Sequence, residues 1–352
     1  MKKYPFKFLD AYNQNDTDIF FGRDQEIKAL YEMVFQSSIL LVYGASGTGK
    51  TSLIQCGLAG KFKSYEWLAL TVRRGNNIIA SFEKVLVEAS GEYATTEEGK
   101  TASAEAVLTG FPKLIHNVYL NHFKPVYLIF DQFEELYILG SKKEQGLFIE
   151  AIKDILASGQ NVKLIFSIRE EYLGHLYDFE RAVPQLLRKK LRVEPMTIDK
   201  VTDVLTGINN NKNSLVSINE DEIRAITEGI FNRLQGSNKS LTIQLPYLQV
   251  FLDKLYLEIT KDNTRQTEAV ITNAKLLGMG TIGDVLRDFL ESQVKSICEK
   301  NSLSGNKVLP ETIWKILSPF STLEGTKQPI LVKDLHEQLK RDVKINEALL
   351  ND

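Results

Sequence analysis

The chain has 352 residues and a formal net charge of −2, with 43% hydrophobic and 25% charged residues. This length predicts two or three domains with sizeable cores, and the near-neutral charge provides no basic field for nucleic acid or an anionic membrane. The two cysteines lie far apart, and no apolar run approaches the roughly 18–20 residues of a membrane span, so we expect a protein of the reducing cytoplasm.

The first predicted elements are a helix and a strand. The helix begins at Asp24 and places Ile27, Leu30 and Val34 on one face. The strand is the apolar run over residues 39–43. The short connection between them is typical of an α/β domain.

The sequence after this strand has the pattern G-x-x-x-x-G-K-T and leads into an apolar helix start. In this strand–loop–helix context the pattern predicts a phosphate-binding loop, whose glycines let backbone N–H groups surround phosphate. We expect Lys50 to reach the β- and γ-phosphates and Thr51 to ligate Mg²⁺. The chain is therefore predicted to bind a nucleoside triphosphate through Gly44, Ala45, Ser46, Gly47, Thr48, Gly49, Lys50, Thr51 and Ser52.

Gly22 and Arg23 precede the first helix, in a segment well placed to cover the base of the nucleotide. A backbone bend and a hydrogen-bond donor suit the edge of a purine, so we predict that these two residues contact adenine. Phe20 and Phe21 are expected to be core residues.

A second predicted strand, residues 66–72, ends at Arg73 and Arg74. Charged side chains at a strand end are usually exposed, and contact with phosphate or a partner is the alternative. Residues 76–122 are predicted to be mostly helical, with a surface loop at 90–100.

A buried strand is predicted over residues 126–130, and Asp131 follows it directly. Ligands bind outside the carboxyl ends of strands in open α/β sheets. Asp131 is therefore placed to hold Mg²⁺ on the same edge as Thr51. Glu134 and Glu135 are both candidates for the carboxylate that orients or deprotonates the attacking water.

The next predicted strand, residues 162–168, ends at Arg169. This arginine can detect a γ-phosphate through charge-assisted hydrogen bonds that ADP does not offer. A salt bridge to Glu170 or Glu171 is the alternative and is equally compatible with the spacing.

Helices replace strands after Thr197. Asn219 and Glu222 have the spacing of a capping box, and Pro246 fits the first turn of another helix. We predict a nucleotide-binding domain over residues 1–197 and a helical domain over 198–300. Residues 301–352 stop within an apolar pattern and are expected to be part of a truncated further domain.

Several of these segments together resemble the STAND class of signal-transduction ATPases, and most closely the bacterial novel STAND group of the AAA+-like P-loop NTPases. The most specific segments are Phe20-Phe21-Gly22-Arg23-Asp24-Gln25-Glu26 and Asp131-Gln132-Phe133-Glu134-Glu135-Leu136. The resemblance implies an α/β fold, namely a parallel sheet of the ASCE type with a helical lid bundle and a partial winged-helix domain. It also implies a cytoplasmic switch that holds ADP at rest and self-associates with ATP.

The resemblance assigns roles to individual residues. Lys50 and Thr51 correspond to the Walker A pair, and Asp131 to the Walker B magnesium residue. Glu134 is favoured as the hydrolytic carboxylate, Arg169 takes the sensor-1 role, and Pro246 matches the lid proline that packs on adenine. Gln132 departs from the AAA+ pattern, in which a glutamate follows the Walker B aspartate.

Three functions are compatible with these patterns. The first is a regulatory ATPase switch, triggered by an unidentified protein or ligand, in bacterial defence or regulation. The second is a DNA-handling ATPase of the origin-recognition kind, against which the near-neutral charge argues. The third is an interaction module that does not hydrolyse nucleotide, against which the presence of Asp131, Glu134 and Glu135 argues.

Overall fold

The computed structural model describes residues 2–91, 110–234, 242–303 and 309–320, together with Ile330 and Leu335. The chain forms two compact units, Met1–Met279 and Gly280–Asp352. Most of the predicted surface loop at 90–100 lies outside the described residues, and so does most of the predicted winged-helix domain at 301–352. Both of these stay predictions.

The first unit is built on a five-stranded sheet in which every neighbouring pair of strands is parallel. The strand order is β2-β3-β4-β1-β5, so β4 separates the strand before the glycine-rich loop from the strand before Asp131. The predicted parallel α/β sheet is confirmed. Its strands are β1 (Ile39–Gly44), β2 (Leu68–Val72), β3 (Val126–Phe130), β4 (Val162–Arg169) and β5 (Lys190–Arg192).

Helices cover both faces of this sheet, which explains why its central strands are apolar throughout. Alternate residues of β1 enter different cores: Ile39 and Leu41 belong to one cluster, Leu40 and Val42 to the other. Short helical turns cover Gln14–Ile19 and Glu170–Leu176. The helices of this region are α1 (Asp24–Gln36), α2 (Lys50–Ser52, continued by a π-helix over Leu53–Leu58 and a 3-10 turn over Ala59–Lys61), α3 (Ile78–Ser90), α4 (Gly110–His122), α5 (Glu135–Ile138), α6 (Lys142–Ala157) and α7 (Tyr177–Ala182).

A sharp turn follows β3 at Gln132, which adopts a left-handed conformation with φ of 56°. The turn directs the next side chain, Phe133, into the core, where it contacts Phe148 and Phe166. The backbone N–H of Phe133 donates to the carbonyl of Ser167 at 2.8 Å. The chain after Asp131 is therefore anchored to the neighbouring strand, and Glu134 is buried beside it.

A helical region with short strands completes the first unit. Pro246 occupies the first turn of its helix as predicted, but the predicted capping box is wrong. Asn219 makes no side-chain cap, because a 3-10 turn over Glu220–Glu222 precedes the helix and Glu222 accepts from the N–H of Asn273. The elements are β6 (Met196–Thr197), α8 (Ile198–Asn210), β7 (Val216–Ile218), α9 (Ile223–Leu234), β8 (Thr242–Ile243), α10 (Leu245–Thr260), β9 (Ala269–Ile271) and α11 (Asn273–Leu277).

The N-terminal segment connects this helical region to the helix after the glycine-rich loop. The phenol of Tyr4 donates to Asp253 of α10 at 2.6 Å, and the N–H of Lys7 donates to Gln249 at 3.1 Å. The N–H of Tyr12 donates to the hydroxyl of Ser52 at 3.1 Å. The segment therefore contacts both α10 and α2.

The second unit contains α12 (Ile282–Leu303), α13 (Pro310–Leu317) and a 3-10 turn over Ser318–Phe320. Over the described part of the chain, no helix combines the length and apolar character needed to cross a membrane.

Candidate functional site

The glycine-rich loop runs from Gly44 at the end of β1 to α2. Gly47 and Gly49 have φ values of 73° and 86°, a left-handed conformation that residues with a Cβ rarely adopt. The ammonium group of Lys50 donates to the carbonyls of Gly44 and Ala45, each at 2.8 Å. The loop thus encloses the cation that the sequence assigned to phosphate.

Within the loop, the hydroxyl of Thr48 donates to the carbonyl of Ala45 at 3.0 Å. Ser46 is exposed, whereas the hydroxyl of Ser52 accepts the N–H of Tyr12. The Ser52 side chain therefore holds the N-terminal segment.

Burial and four charged side chains shift the pKa of Lys50. Burial lowers the pKa of Lys50, while the carboxylates of Glu134, Glu171 and Asp131 raise it and the charge of Arg169 lowers it. An anionic ligand at this position would favour the protonated lysine, because opposite charges attract strongly where water is partly excluded.

Asp131 is almost completely buried and shares its two oxygens between two partners. Oδ1 accepts the hydroxyl of Thr51 at 2.9 Å. Oδ2 accepts Nε and Nη2 of Arg73 at 3.2 and 2.8 Å. Thr51 and Asp131 are thus joined directly, and a strand-end arginine compensates the charge of the buried carboxylate.

Glu134 is also buried and is paired with Arg169. Nε of Arg169 lies 2.9 Å from Oε1 of Glu134, and the backbone N–H of Arg169 donates to Oε2 at 3.2 Å. The sequence alternative was a salt bridge from Arg169 to Glu170 or Glu171. Arg169 pairs with Glu134 instead, and Glu170 pairs with Arg192 at 3.0 Å. Glu135 is the first residue of α5 and is only partly buried.

Arg23 lies inside the protein, where its guanidinium contacts the loop and helix α1. It donates to the carbonyl of Thr48 at 2.8 Å and to Glu26 at 2.7 Å. Lys200 of α8 also pairs with Glu26. Gly22 has a φ of 76°, and a Cβ there would come within 2.7 Å of the Lys200 carbonyl. Both residues therefore lie where the loop, α1 and α8 meet.

The start of α10 lies directly on the glycine-rich loop. The N–H of Leu245 donates to the carbonyl of Gly47 at 3.3 Å. A Cβ at Gly47 would lie 3.0 Å from Cδ of Pro246, and one at Gly49 would lie 2.7 Å from Cδ1 of Leu245. The structure thus brings Pro246 to the loop that the sequence assigned to phosphate.

Two contributions to this site were not predicted. The prediction of exposed charge at the end of β2 is wrong for Arg74, which is buried against Glu144 at 2.9 Å. Arg73 instead holds Asp131. The contact could have been found from the positions of the two residues, because Arg73 follows β2 and Asp131 follows β3. These strands are neighbours in the sheet, with Val72 paired to Phe130. The contact of Tyr12 with Ser52 joins distant segments and has no local sequence signal.

The donors around Thr51 suit a magnesium ion. A hydroxyl and a carboxylate are hard oxygen ligands, and Mg²⁺ is usually held by one or two such groups together with substrate phosphates and water. Among the residues that the structure describes, no group of three or more His, Cys, Asp or Glu side chains forms a metal site made by protein alone. Thr51 and Asp131 therefore fit Mg²⁺ that arrives with a nucleotide.

A family model described as Novel STAND NTPase 1 matches residues 5–351. The chain belongs to this family and is a P-loop NTPase, which confirms the predicted NTP hydrolase and the predicted resemblance. No curated protein sequence matches the chain.

Two solved structures with a TM-score of 0.50 show the same fold at low sequence identity. The ORC2 protein of Aeropyrum pernix in its ADPNP-ADP complexes is 16% identical, with a TM-score of 0.50 and coverage of 91% of this chain and 84% of that one. Its ADP form is 15% identical, with a TM-score of 0.50 and coverage of 92% and 85%. The Walker-type ATPase of Pyrococcus abyssi is 18% identical, with a TM-score of 0.45 and coverage of 95% and 92%.

Proposed function

We propose that this member of the novel STAND NTPase 1 family is an ATP-driven switch, in which the nucleotide on the glycine-rich loop controls the position of the helical region. The observation that carries the proposal is the contact of Leu245 and Pro246 with Gly47. A phosphate that rearranges the loop acts directly on the start of α10. The differential affinity for ATP and ADP then sets the balance between two conformations.

Phosphate binding falls to the loop and its lysine. The ammonium of Lys50 exchanges the carbonyls of Gly44 and Ala45 for phosphate oxygens, which are stronger partners because they are charged. Thr51 and Asp131 would hold Mg²⁺, and the ion would neutralise charge on the phosphates. Gly22 and Arg23 support the loop that faces the nucleotide, and Pro246 covers it from α10.

Hydrolysis uses Glu134 as the general base. A water oxygen attacks the γ-phosphorus, the bond from that phosphorus to the β–γ bridging oxygen breaks, and Glu134 accepts the proton of the water. The products are ADP and inorganic phosphate. Glu134 is favoured over Glu135 because its carboxylate acts on Lys50 and is held at the end of β4. Arg169 detects the γ-phosphate through its guanidinium.

We further propose that the ATP-bound form self-associates and that a protein or ligand triggers the exchange of ADP for ATP. The contact of α10 with the loop supports this, since movement of the helical region would expose surface that it now covers. The competing role is a DNA-handling ATPase of the origin-recognition kind. The similarity to ORC2 is one of fold, and the net charge of −2 favours the switch.

The decisive experiment measures nucleotide binding and mass together. Titration calorimetry with ADP, a non-hydrolysable ATP analogue and GTP should give specific binding of both adenine nucleotides and weaker binding of GTP. Light scattering should show a larger mass with the ATP analogue than with ADP. Lys50→Ala is the control, since it should abolish both effects. Equal mass with both nucleotides would refute the switch, and tight salt-dependent binding to duplex DNA would favour the alternative.

A further inference from the structure

We infer that the Glu134–Arg169 ion pair is a latch that the γ-phosphate opens, so that ATP itself releases the carboxylate needed for its hydrolysis. This inference rests on the proposed function and adds a regulatory step at the same site. Arg169 is then a positioning residue for Glu134 as well as a sensor. The latch is the ion pair between Nε of Arg169 and Oε1 of Glu134, beside which the backbone N–H of Arg169 donates to Oε2.

Arg169 occupies both oxygens of the Glu134 carboxylate. Oε1 lies 2.9 Å from Nε of Arg169, and Oε2 accepts the backbone N–H of the same residue at 3.2 Å. With a donor already directed at each oxygen, the carboxylate has less acceptor capacity left for a water molecule. In this arrangement Glu134 is not available to accept a proton from the attacking water.

Arg169, rather than Glu134, is the partner whose side chain has room to move. The backbone of Glu134 follows the turn at Gln132, and the preceding Phe133 is fixed in the core. The side chain of Glu134 is 4% exposed, whereas that of Arg169 is 22% exposed. A change of partner therefore takes place by rotation of the arginine and leaves the carboxylate in position.

The γ-phosphate, which would compete with Glu134 for Arg169, is expected to bind close to this arginine. Arg169 pairs in register with Gly44, the first residue of the glycine-rich loop. The ammonium of Lys50, which is expected to hold the β- and γ-phosphates, donates to the carbonyl of this same Gly44 at 2.8 Å. One guanidinium thus lies between two anionic partners, the Glu134 carboxylate and a γ-phosphate, and only ATP supplies the second.

This arrangement links recognition to chemistry. With ADP the latch stays closed, and with ATP the guanidinium turns to the γ-phosphate and frees Oε1 of Glu134. The ion pair then lowers the affinity for ATP, because its contacts must be given up. Removing the charge of Glu134 should therefore strengthen ATP binding specifically.

The test is calorimetric titration of Glu134→Gln with ADP and with a non-hydrolysable ATP analogue. The analogue should bind about tenfold more tightly than to the unmodified protein, about 1.4 kcal/mol, the size of one hydrogen bond to a charged group. The affinity for ADP should not change. Glu171→Gln is the matched control, since Glu171 also acts on Lys50 but does not contact Arg169. It should leave the ratio of the two affinities unchanged.

A double-mutant cycle completes the test. In the Arg169→Ala background, Glu134→Gln should no longer strengthen binding of the analogue, because the latch is already absent. If Glu134→Gln unfolds at a lower temperature than the unmodified protein, Glu134→Asp replaces it. The shorter carboxylate draws away from the guanidinium, so the analogue should again bind more tightly.

An unchanged affinity ratio in Glu134→Gln, or the same gain in Glu171→Gln, would overturn the latch. Neither result bears on the proposed ATPase switch. That proposal fails on separate grounds, namely if light scattering gives equal mass with both nucleotides or if the unmodified protein binds no nucleotide.

Discussion

Arg73 and Asp131 are joined by two hydrogen bonds across the ends of neighbouring strands, in which Nε and Nη2 of the guanidinium donate to the same carboxylate oxygen. Asp131 is almost fully buried, and a buried carboxylate needs a partner to offset the loss of water. The arginine side chain is 53% exposed, so part of its charge is screened. This pair therefore contributes to the stability of the site as well as to its geometry.

Arg73→Ala should lower the free energy of unfolding by about 1–2 kcal/mol, because it leaves Oδ2 of a buried carboxylate without its charged partner. Urea denaturation measures this change. Arg224→Ala is a suitable control, since Arg224 forms an ion pair with Glu228 at the surface and should have little effect. Equal losses for the two variants would show that Arg73 contributes no more than a surface charge.

Nucleotide affinity should fall as the pH rises through the lowered pKa of Lys50. Burial lowers the pKa of Lys50 from the ordinary lysine value, and bound phosphate would raise it again. Binding is therefore strongest below the lowered pKa, where Lys50 is already charged, and weakens as the pH rises through it. Titrations in buffers of different ionisation enthalpy should detect uptake of a proton in this range. Lys50→Met should lack both the affinity and the proton uptake.

Glu134→Gln should retain nucleotide and lose most of the hydrolysis, because the amide keeps the shape of the side chain but cannot accept the proton. A loss of about a hundredfold or more is expected for a general base. Single-turnover hydrolysis measures the chemical step directly. Glu135→Gln is the matched control and should hydrolyse at close to the normal rate. The opposite result would reverse the assignment of the two carboxylates.

Arg169→Ala should weaken binding of an ATP analogue by about 1.5 kcal/mol and leave ADP nearly unchanged. We expect the lower end of the range for charged hydrogen bonds, since the guanidinium must give up Glu134 to bind the γ-phosphate. Calorimetry with both nucleotides provides the ratio. Arg192→Ala, at a nearby strand end, is the control. If the ATP-to-ADP ratio is the same in the variant, Arg169 has no part in sensing.

The thiol of Cys56 should be unreactive in the native protein. It is fully buried in the helix after the glycine-rich loop, and burial, with smaller contributions from Asp16 and Asp18, raises its pKa to about 12. The reactive thiolate is therefore scarce at neutral pH. Iodoacetamide labelling followed by peptide mass spectrometry should show modification of Cys56 only after denaturation. Rapid labelling of the native protein would show that this helix opens readily.

Local patterns were sufficient to predict the parallel sheet and to place Thr51 and Asp131 on one edge of it. The strands around Leu41 and Leu128 are apolar throughout because both faces of the sheet are covered, and this pattern is visible in the sequence. The glycine-rich loop requires backbone conformations that only certain residues adopt. Asp131 was predicted on this edge of the sheet because it directly follows a buried strand and parallel strands end on one edge.

Tertiary structure alone decided which side chains meet across that edge. The residue pattern left both Glu134 and Glu135 as candidates, and only the family resemblance favoured Glu134. The left-handed turn at Gln132 places Glu134 beside Arg169. The bond from Arg73 to Asp131 depends on the pairing of β2 with β3, and strand order is set by packing of the whole sheet rather than by either segment. Ion pairs between distant segments leave no periodicity in a sequence, so their partners become visible only when the chain is folded.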